Sequence, residues 1–342
     1  MQLETTKRKI FEQLFPLLNC PEGKSRIYLH IKPNKLVSGA ILCGDYTFPI
    51  KHDIPVLIPP SARNKYHKLR AAYESLEPSP WRATKSDWIK HMREIHLEGI
   101  RRVYNLLKNR KKLIVLALGC GWGWEIWAMK KIFRDNSSFF IGIDLARKPL
   151  MVANHIRNRN NYYDVLFSVG NVEALPFKDQ TFDVVTAIFG ALDHIKNFEK
   201  AFMEVSRILK PGGVFLFTVL NKFSLDWIFK VIKNPRLFIK TIKKSREKFV
   251  RITIPTPKGK AYRILTHFYH RWELLKLLNM NNFKLIFAKS IFSILPANFK
   301  KRKLSKMEKI LSYIEKKIGS KMIIKWLGRY ILAIAIKTTK PP

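Results

Sequence analysis

From position 113 onward, short runs of apolar and β-branched residues alternate with stretches in which apolar residues return every three or four positions. The runs fall at 113–118, 139–143, 165–169, 182–188 and 214–219. Short apolar runs bounded by turn residues predict buried strands, and the three-to-four spacing predicts helices packed by one face. Strand–helix alternation implies right-handed crossovers onto a parallel, doubly wound α/β sheet. After Asn221 the pattern changes to basic amphipathic segments, before two last strand candidates at 283–287 and 330–336.

Upstream, apolar and aromatic residues recur at helical spacing between Lys65 and Lys108, with breaks at Pro78 and Pro80, and predict two lead-in helices. From Asn19 to Pro60 short apolar runs are broken by Pro and Gly, which predicts a small β-rich unit closed by the Pro59-Pro60 pair. The expected organisation is therefore a β-rich unit over 1–60, helices over 61–110, a core over 111–221 and a basic region with the closing strands over 222–342. At 342 residues the chain is long enough for one large domain with small attachments, at roughly 150 residues per domain.

Charge changes the picture more than length does. The chain carries 64 Lys+Arg against 25 Asp+Glu, a net charge of +39. Such a surface attracts polyanions, meaning nucleic acid, an anionic membrane face or an acidic substrate, unless it reflects a lysine bias common to all proteins of its source. The first 20 residues lack the basic-then-apolar order of a secretory signal, so a cytoplasmic location is expected. The apolar stretch 323–336 is interrupted by Lys325 and Arg329, well short of the ~20 apolar residues of a spanning helix. Three cysteines, Cys20, Cys43 and Cys120, cannot form a paired framework and suit a reducing compartment.

The first core strand runs into Ala117-Leu118-Gly119-Cys120-Gly121-Trp122-Gly123-Trp124. Glycines here permit a tight turn and close backbone approach to a ligand, in front of a helix N-terminus whose free N–H groups favour a carboxylate. Trp124 occupies the last glycine position of a dinucleotide fingerprint, which argues against a nicotinamide or flavin. The second strand ends in Asp144, about 20 residues on, where an acidic residue can hold ribose hydroxyls. Gly170-Asn171-Val172-Glu173-Ala174-Leu175-Pro176-Phe177, Phe182-Asp183-Val184-Val185 and Arg207-Ile208-Leu209-Lys210-Pro211-Gly212-Gly213 follow in order.

Taken as an ordered set over about 113–221, these motifs resemble those of class I S-adenosylmethionine-dependent methyltransferases of the type 11 group, which includes quinone-biosynthesis methyltransferases. The resemblance implies a Rossmann-like, doubly wound seven-stranded sheet with an antiparallel last strand, fitted by 330–336. It also implies S-adenosylmethionine as methyl donor. Gly119, Cys120, Gly121 and Gly123 would form the turn that cradles its methionine part, Asp144 would bind the ribose, and Leu145 would pack on the adenine. Asn171 stands where the family usually has Asp accepting from the adenine amino group, and an Asn oxygen can still accept that bond. Val172 would supply a nearby backbone N–H, and Phe189 to Leu192 would face the sulfonium. Ala117 departs from the family's usual acidic residue there, with Glu125 or a backbone carbonyl to compensate.

Methyl transfer is an in-line displacement, so positioning the acceptor and excluding water come first. A hydroxyl or carbon acid also needs its proton removed, and His194, after the fourth strand, is the candidate general base; the other reading is that it only orders its loop. His267, Tyr269 and His270 lie in a region that in this family often lines the acceptor pocket, and Tyr73 is placed to close over the donor. No Asn/Asp-Pro-Pro-aromatic tetrad follows the fourth strand and no cysteine nucleophile lies there, which argues against exocyclic-amine and pyrimidine-C5 methylation of nucleic acid.

Cys20-Pro21 and Cys43-Gly44, with 48–57, resemble the zinc-ribbon domain related to activators of tRNA methyltransferases. A structural zinc needs four ligands, and each knuckle here has one cysteine, so a metal-free remnant is expected, with His30 and His52 the only replacements at hand. Two basic segments, 227–244 and 300–325, place apolar residues opposite lysines and suit an anionic membrane interface or a cap packed on the core. Three functions stay open: transfer to a lipid, quinone-like or other small acceptor near a membrane, transfer to rRNA or tRNA, and donor binding without turnover.

Overall fold

The N-terminal segment contributes directly to the main sheet. The computed structural model describes residues 2–19, 25–31, 37–58, 66–75, 86–134, 137–225, 228, 232, 249–255, 261–295 and 303–339. Helix α1 (Gln2–Leu14) buries Ile10, Phe11 and Leu14. Strands β1 (Ser25–Ile31), β2 (Val37–Cys43), β3 (Tyr46–Lys51) and β4 (Ile54–Leu57) form an antiparallel meander. Cys43 is disulfide-bonded, so the reduced state expected of the cysteines does not hold for it, whereas Cys120 is free and buried. Helices α2 (His67–Ser75) and α3 (Asp87–Leu107) are the two lead-in helices that the spacing predicted.

The core follows as β5 (Ile114–Leu118), α4 (Trp124–Phe133), β6 (Phe139–Asp144), α5 (Arg147–Arg159), β7 (Val165–Gly170), β8 (Phe182–Ala187), α6 (Phe198–Ile208) and β9 (Leu209–Leu220). A hairpin of β10 (Val250–Pro255) and β11 (Ala261–Thr266), absent from the expected elements, precedes α7 (Arg271–Met280), β12 (Phe283–Ile291), α8 (Lys306–Ile318) and β13 (Tyr330–Lys337). Among the described residues the main sheet has eleven strands in the order β1-β2-β3-β4-β7-β6-β5-β8-β9-β13-β12. The expected seven-stranded sheet is its part from β7 to β12, parallel from β7 to β9 and closed by the antiparallel β13. β4 extends it through the parallel pairs Val56↔Val169 and Leu57↔Gly170.

Alternate side chains of each strand feed two cores. Leu116 and Leu118 of β5 join Phe198, Phe202 and Leu274 on one face, and Val115 and Ala117 join Ile100, Ile126 and Leu150 on the other. The chain runs from β5 outward through β6 to β7, then returns to pass through β8 to β9. Where the order reverses, the carboxyl ends of β5 and β8 leave a crevice, the usual ligand position in an open α/β sheet.

Apart from Ile228 and Ile232, the amphipathic segment 227–244 lies outside the described residues, and so do 300–302. The rest of the second basic segment contains α8, started by a capping box in which Ser305 Oγ accepts from Glu308 N–H and Glu308 accepts from Ser305 N–H. Among the described residues no helix is long and apolar enough to cross a membrane.

Candidate functional site

The turn after β5 is built on backbone that side chains resist. Gly119 has φ 62°, and a Cβ there would stand 2.7 Å from Ala191 Cβ, so both conformation and space require glycine. Gly121, at φ 51°, donates its N–H to Asp144 Oδ2 at 2.9 Å, and Ala146 N–H reaches Oδ1 at 2.8 Å. Asp144 is thereby fixed at the end of β6. Burial raises its carboxyl above the ordinary range, against the stabilising N–H groups of Ala146, Gly121 and Leu145.

Gly119, Asp144, Leu145, Asn171, Val172 and Phe189 line one cleft of about 100 Å³ together with His194. Cys120, Gly121 and Gly123 stand in the turn and outside the cleft lining. Cys120 is buried and its N–H donates to Ile143 O at 3.0 Å, while Gly123 caps α4 in the left-handed region. Asn171 Oδ1 accepts from Glu173 N–H at 3.0 Å, leaving its second lone pair for a further donor. Phe189 follows β8 at φ 55°, an uncommon conformation for a residue with a side chain, and its ring meets His96 edge-on at 4.4 Å and Trp124 at 5.2 Å.

A second acid stands next to the glycine turn, outside the cleft lining. Ala117 leaves β5 without an acid, but Glu125 on the first turn of α4 is buried and its Oε1 has no hydrogen-bond partner. Burial pushes the Glu125 carboxyl up to about 8, and the charge of Asp144 adds to the rise. An orphaned buried acid beside the glycine turn is what an ammonium group would satisfy. Two buried acids thus flank the glycine turn, Asp144 in the cleft lining and Glu125 behind it on α4.

His194 is half-buried, with Nδ1 3.1 Å from Thr266 Oγ1 on β11. Burial pushes its imidazole down to about 4, against the Leu265 carbonyl that accepts from it. Tyr73 also lines the cleft, 6.1 Å from His194 between ring centroids. The other aromatic candidates serve packing. His267 is buried, stacks on Phe198 at 4.1 Å and reaches Glu273 at 3.0 Å; Tyr269 donates to Leu192 O at 3.1 Å; His270 caps α7 by accepting from Glu273 N–H. His52 Nδ1 lies 2.6 Å from Arg147 Nη2, and the His30 side chain lies outside the described residues.

Sequence reasoning passed over Tyr66, Leu69 and Arg70, which line the cleft with Tyr73. Their spacing in the sequence, 66-69-70-73, was the available signal, since residues three and four apart share one face of a helix. Tyr66 donates to Glu173 Oε1, which also takes Asn197 N–H at 2.8 Å and so ties α2 to the loop after β7. Asp193 stands beside His194 in the loop after β8. It is buried, accepts from Leu220 N–H at 2.9 Å, and leaves Oδ2 without a partner.

Comparison with known proteins agrees with this geometry. Residues 116–217 match the family model described as a methyltransferase domain. A protein of Methanocaldococcus jannaschii whose function is not described is 28% identical over 247 residues, 72% of this chain and 84% of its own. A demethylmenaquinone methyltransferase of Listeria welshimeri is 28% identical over 150 residues, 44% of this chain and 61% of its own. A solved 1,6-didemethyltoxoflavin N1-methyltransferase of Burkholderia thailandensis, with 1,6-didemethyltoxoflavin and S-adenosylhomocysteine bound, superposes with a TM-score of 0.47 at 16% identity over 91% of this chain and 99% of its own. Residues 116–217 thus match a methyltransferase domain, and the chain is an enzyme.

Proposed function

We propose that this S-adenosylmethionine-dependent methyltransferase acts on a small acceptor, lipid, quinone-like or other, at or near an anionic membrane face. The observation that carries the reading is the shared wall of two clefts. Tyr66, Leu69 and His194 line both the donor cleft and a neighbouring one of about 320 Å³. A chamber of that size beside the donor suits a small molecule rather than an extended polymer. The Listeria relative, a demethylmenaquinone methyltransferase, supports a quinone-like acceptor.

S-adenosylmethionine supplies a methyl group on a sulfonium, open to in-line displacement. The chain's own residues hold the two ends of that donor through Asp144 and Glu125, enclose the reacting centre with Tyr73 and Phe189, and offer His194 to take a proton from the acceptor. The membrane part of the reading rests on α8, which exposes Met307, Ile310 and Tyr313 with Lys306, Lys309 and Lys317 beside them. Apolar residues flanked by lysines suit the headgroup region of an acidic bilayer. The pattern of 227–244 in the sequence supports the same partner.

The net charge of +39 favours a second reading, transfer to rRNA or tRNA. Transfer of labelled methyl to a cell extract, fractionated into RNA, protein, lipid and small molecules, separates the two. Label in the lipid or small-molecule fraction is expected, and label confined to RNA overturns the proposal.

A further inference from the structure

The cleft beside the donor site is walled by cations. Its described lining includes Lys68, Lys196, Arg251 and Arg263 and contains no Asp or Glu. In the β10–β11 hairpin Arg251 pairs with Leu265, and Arg263 lies two residues before Leu265 on the same strand. The two arginines therefore project from one face of the hairpin as diagonal neighbours, where like charges repel unless an anion lies between them.

Several cations elsewhere in the molecule have acidic partners. Arg207 binds Glu204 and Asp179, Arg157 lies 3.6 Å from Asp53, and Lys289 pairs with Glu98. Among the described residues no such ion pair is made by Lys68, Lys196, Arg251 or Arg263, and Lys196 Nζ instead stands 5.7 Å over the Tyr66 ring. The cleft is also wired to the reacting end of the donor site. The strand that carries Arg263 carries Leu265 and Thr266, which hold the His194 ring, and His267 N–H donates to Asp193 O at 2.7 Å.

We propose that this cleft binds an oxyanion of the methyl acceptor, so that the acceptor is a small organic phosphate held by Arg251, Arg263, Lys196 and Lys68 with its methyl-accepting atom turned toward His194. The proposal rests on the methyltransferase reading above and specifies its substrate class. Guanidinium forks match phosphate oxygens two at a time, and lysines add point charge around them. Concave, cation-lined walls concentrate the field, which makes this site stronger than the basic surface at large. Filling it also removes the repulsion across the hairpin, so acceptor binding steadies the strand that holds His194.

The test uses the full chain, inorganic pyrophosphate as probe, and calorimetry at constant ionic strength. Pyrophosphate is expected to bind the wild type, and Arg251→Gln/Arg263→Gln to weaken it at least about tenfold, since each arginine makes charge-assisted hydrogen bonds. An exposed pair remote from the cleft, Arg101→Gln/Lys276→Gln, is expected to change the affinity less than about twofold. Equal weakening by both double variants, or none by the first, overturns the proposal. Donor affinity, measured in the same samples, is expected to be unchanged in Arg251→Gln/Arg263→Gln; a wild type that does not bind S-adenosylmethionine fails the underlying methyltransferase reading and is recognised separately. Displacement of pyrophosphate by glycerol 3-phosphate identifies a soluble phosphate, and displacement by vesicles containing phosphatidic acid identifies a lipid headgroup. Displacement by an RNA oligonucleotide alone, with a steep salt slope, overturns the small-phosphate class.

Discussion

His91 Nε2 lies 2.7 Å from Glu315 Oε1, and both side chains are buried. The contact joins α3 to α8 across more than two hundred residues of sequence. Glu315 Oε1 also takes Phe292 N–H at 2.7 Å, and Oε2 takes the N–H groups of Ser293, Ile294 and Leu295 at 2.8, 2.8 and 3.0 Å. One carboxylate thus satisfies four successive backbone donors of the loop after β12. Burial works to raise this carboxyl, but His91 and the N–H groups of Leu295 and Ile294 outweigh it and hold it below the ordinary value.

Removing that acceptor strands four buried donors and a histidine. We expect Glu315→Ala to cost about 3–5 kcal/mol of stability, since each buried donor left unsatisfied costs about 1–3 kcal/mol. A depressed carboxylate contributes stability above its ordinary pKa, about 4.3, and loses that contribution as pH falls through the folded value. Melting of the wild type between pH 7 and pH 3 should therefore show an acid loss that Glu315→Gln lacks. A variant as stable as wild type at pH 7 would contradict this account.

Asp144 serves the turn and the donor together, so two substitutions are needed to tell them apart. Asp144→Ala is expected to weaken S-adenosylmethionine at least about tenfold by removing a charge-assisted bond to the ribose, typically about 1.5–3 kcal/mol. Asp144→Asn keeps one acceptor oxygen and should lose less. Calorimetry giving wild-type affinity for Asp144→Ala, with melting unchanged, would falsify the ribose assignment.

The exposed ridge of α8 makes a separate claim about membranes. Met307→Glu/Ile310→Glu adds two negative charges to an apolar face that the core does not use, so stability should be unaffected. Co-sedimentation with vesicles of acidic lipid should be lost, and that of the wild type should weaken with added salt. Binding to neutral and acidic vesicles alike would contradict the lysine part of this reading.

The parts legible in the sequence are those whose physics is local. Val115 to Leu118 and Phe139 to Ile143 could only be buried strands, and the Gly119 turn and Asp144 lie within 26 positions of each other on consecutive strands of one unit. The extension of the sheet by β4 rests on two backbone pairs between Val56–Leu57 and Val169–Gly170, which no local pattern records. The β10–β11 hairpin alternates polar and apolar residues, as in Arg251-Ile252-Thr253-Ile254, and was obscured by the surrounding lysines. The cationic cleft is drawn from α2, the loop after β8 and that hairpin, so its convergence appears only once the chain is folded.

Glu125 gives a measurable proton count. Its carboxyl titrates at about 8 and is neutral in the free protein at about pH 6.5, where the donor's α-amino group, with an ordinary pKa of about 7.7–8, is still charged. Pairing the two requires Glu125 to ionise, so donor binding should release a proton. Calorimetry in buffers of different ionisation enthalpy should show that release in wild type and not in Glu125→Gln. The free protein should also lose stability as pH rises from about 4.5 through 8, because a carboxyl with a raised pKa contributes stability below its unfolded value and loses it above. Glu125→Gln should reduce that alkaline loss, with the remainder due to Asp144, whose carboxyl burial also raises, and Asp193, whose carboxyl burial pushes up to about 8. Buffer-independent heats in the wild type would remove Glu125 from the donor site.

His194 is the remaining choice between a base and a loop anchor, and its environment sets what each would look like. Burial keeps the imidazole neutral above about pH 4, so the form that accepts a proton is present across the neutral range. To accept one, Nδ1 has to turn from Thr266 Oγ1, now at 3.1 Å, to the acceptor. A positioned base contributes about 10²–10⁴-fold, so His194→Asn should lower kcat by that factor with donor affinity unchanged, because none of the donor's polar ends falls to this residue. The rate should be flat from about pH 6 upward in wild type and should become steeply dependent on hydroxide in His194→Asn, where solvent replaces the base. Added imidazole should restore part of the loss. If His194 only orders the loop, both kcat and its pH profile stay within about threefold of wild type while melting shifts, and the base must then be sought elsewhere, with Asp193 Oδ2 the next unpartnered acceptor in the same loop.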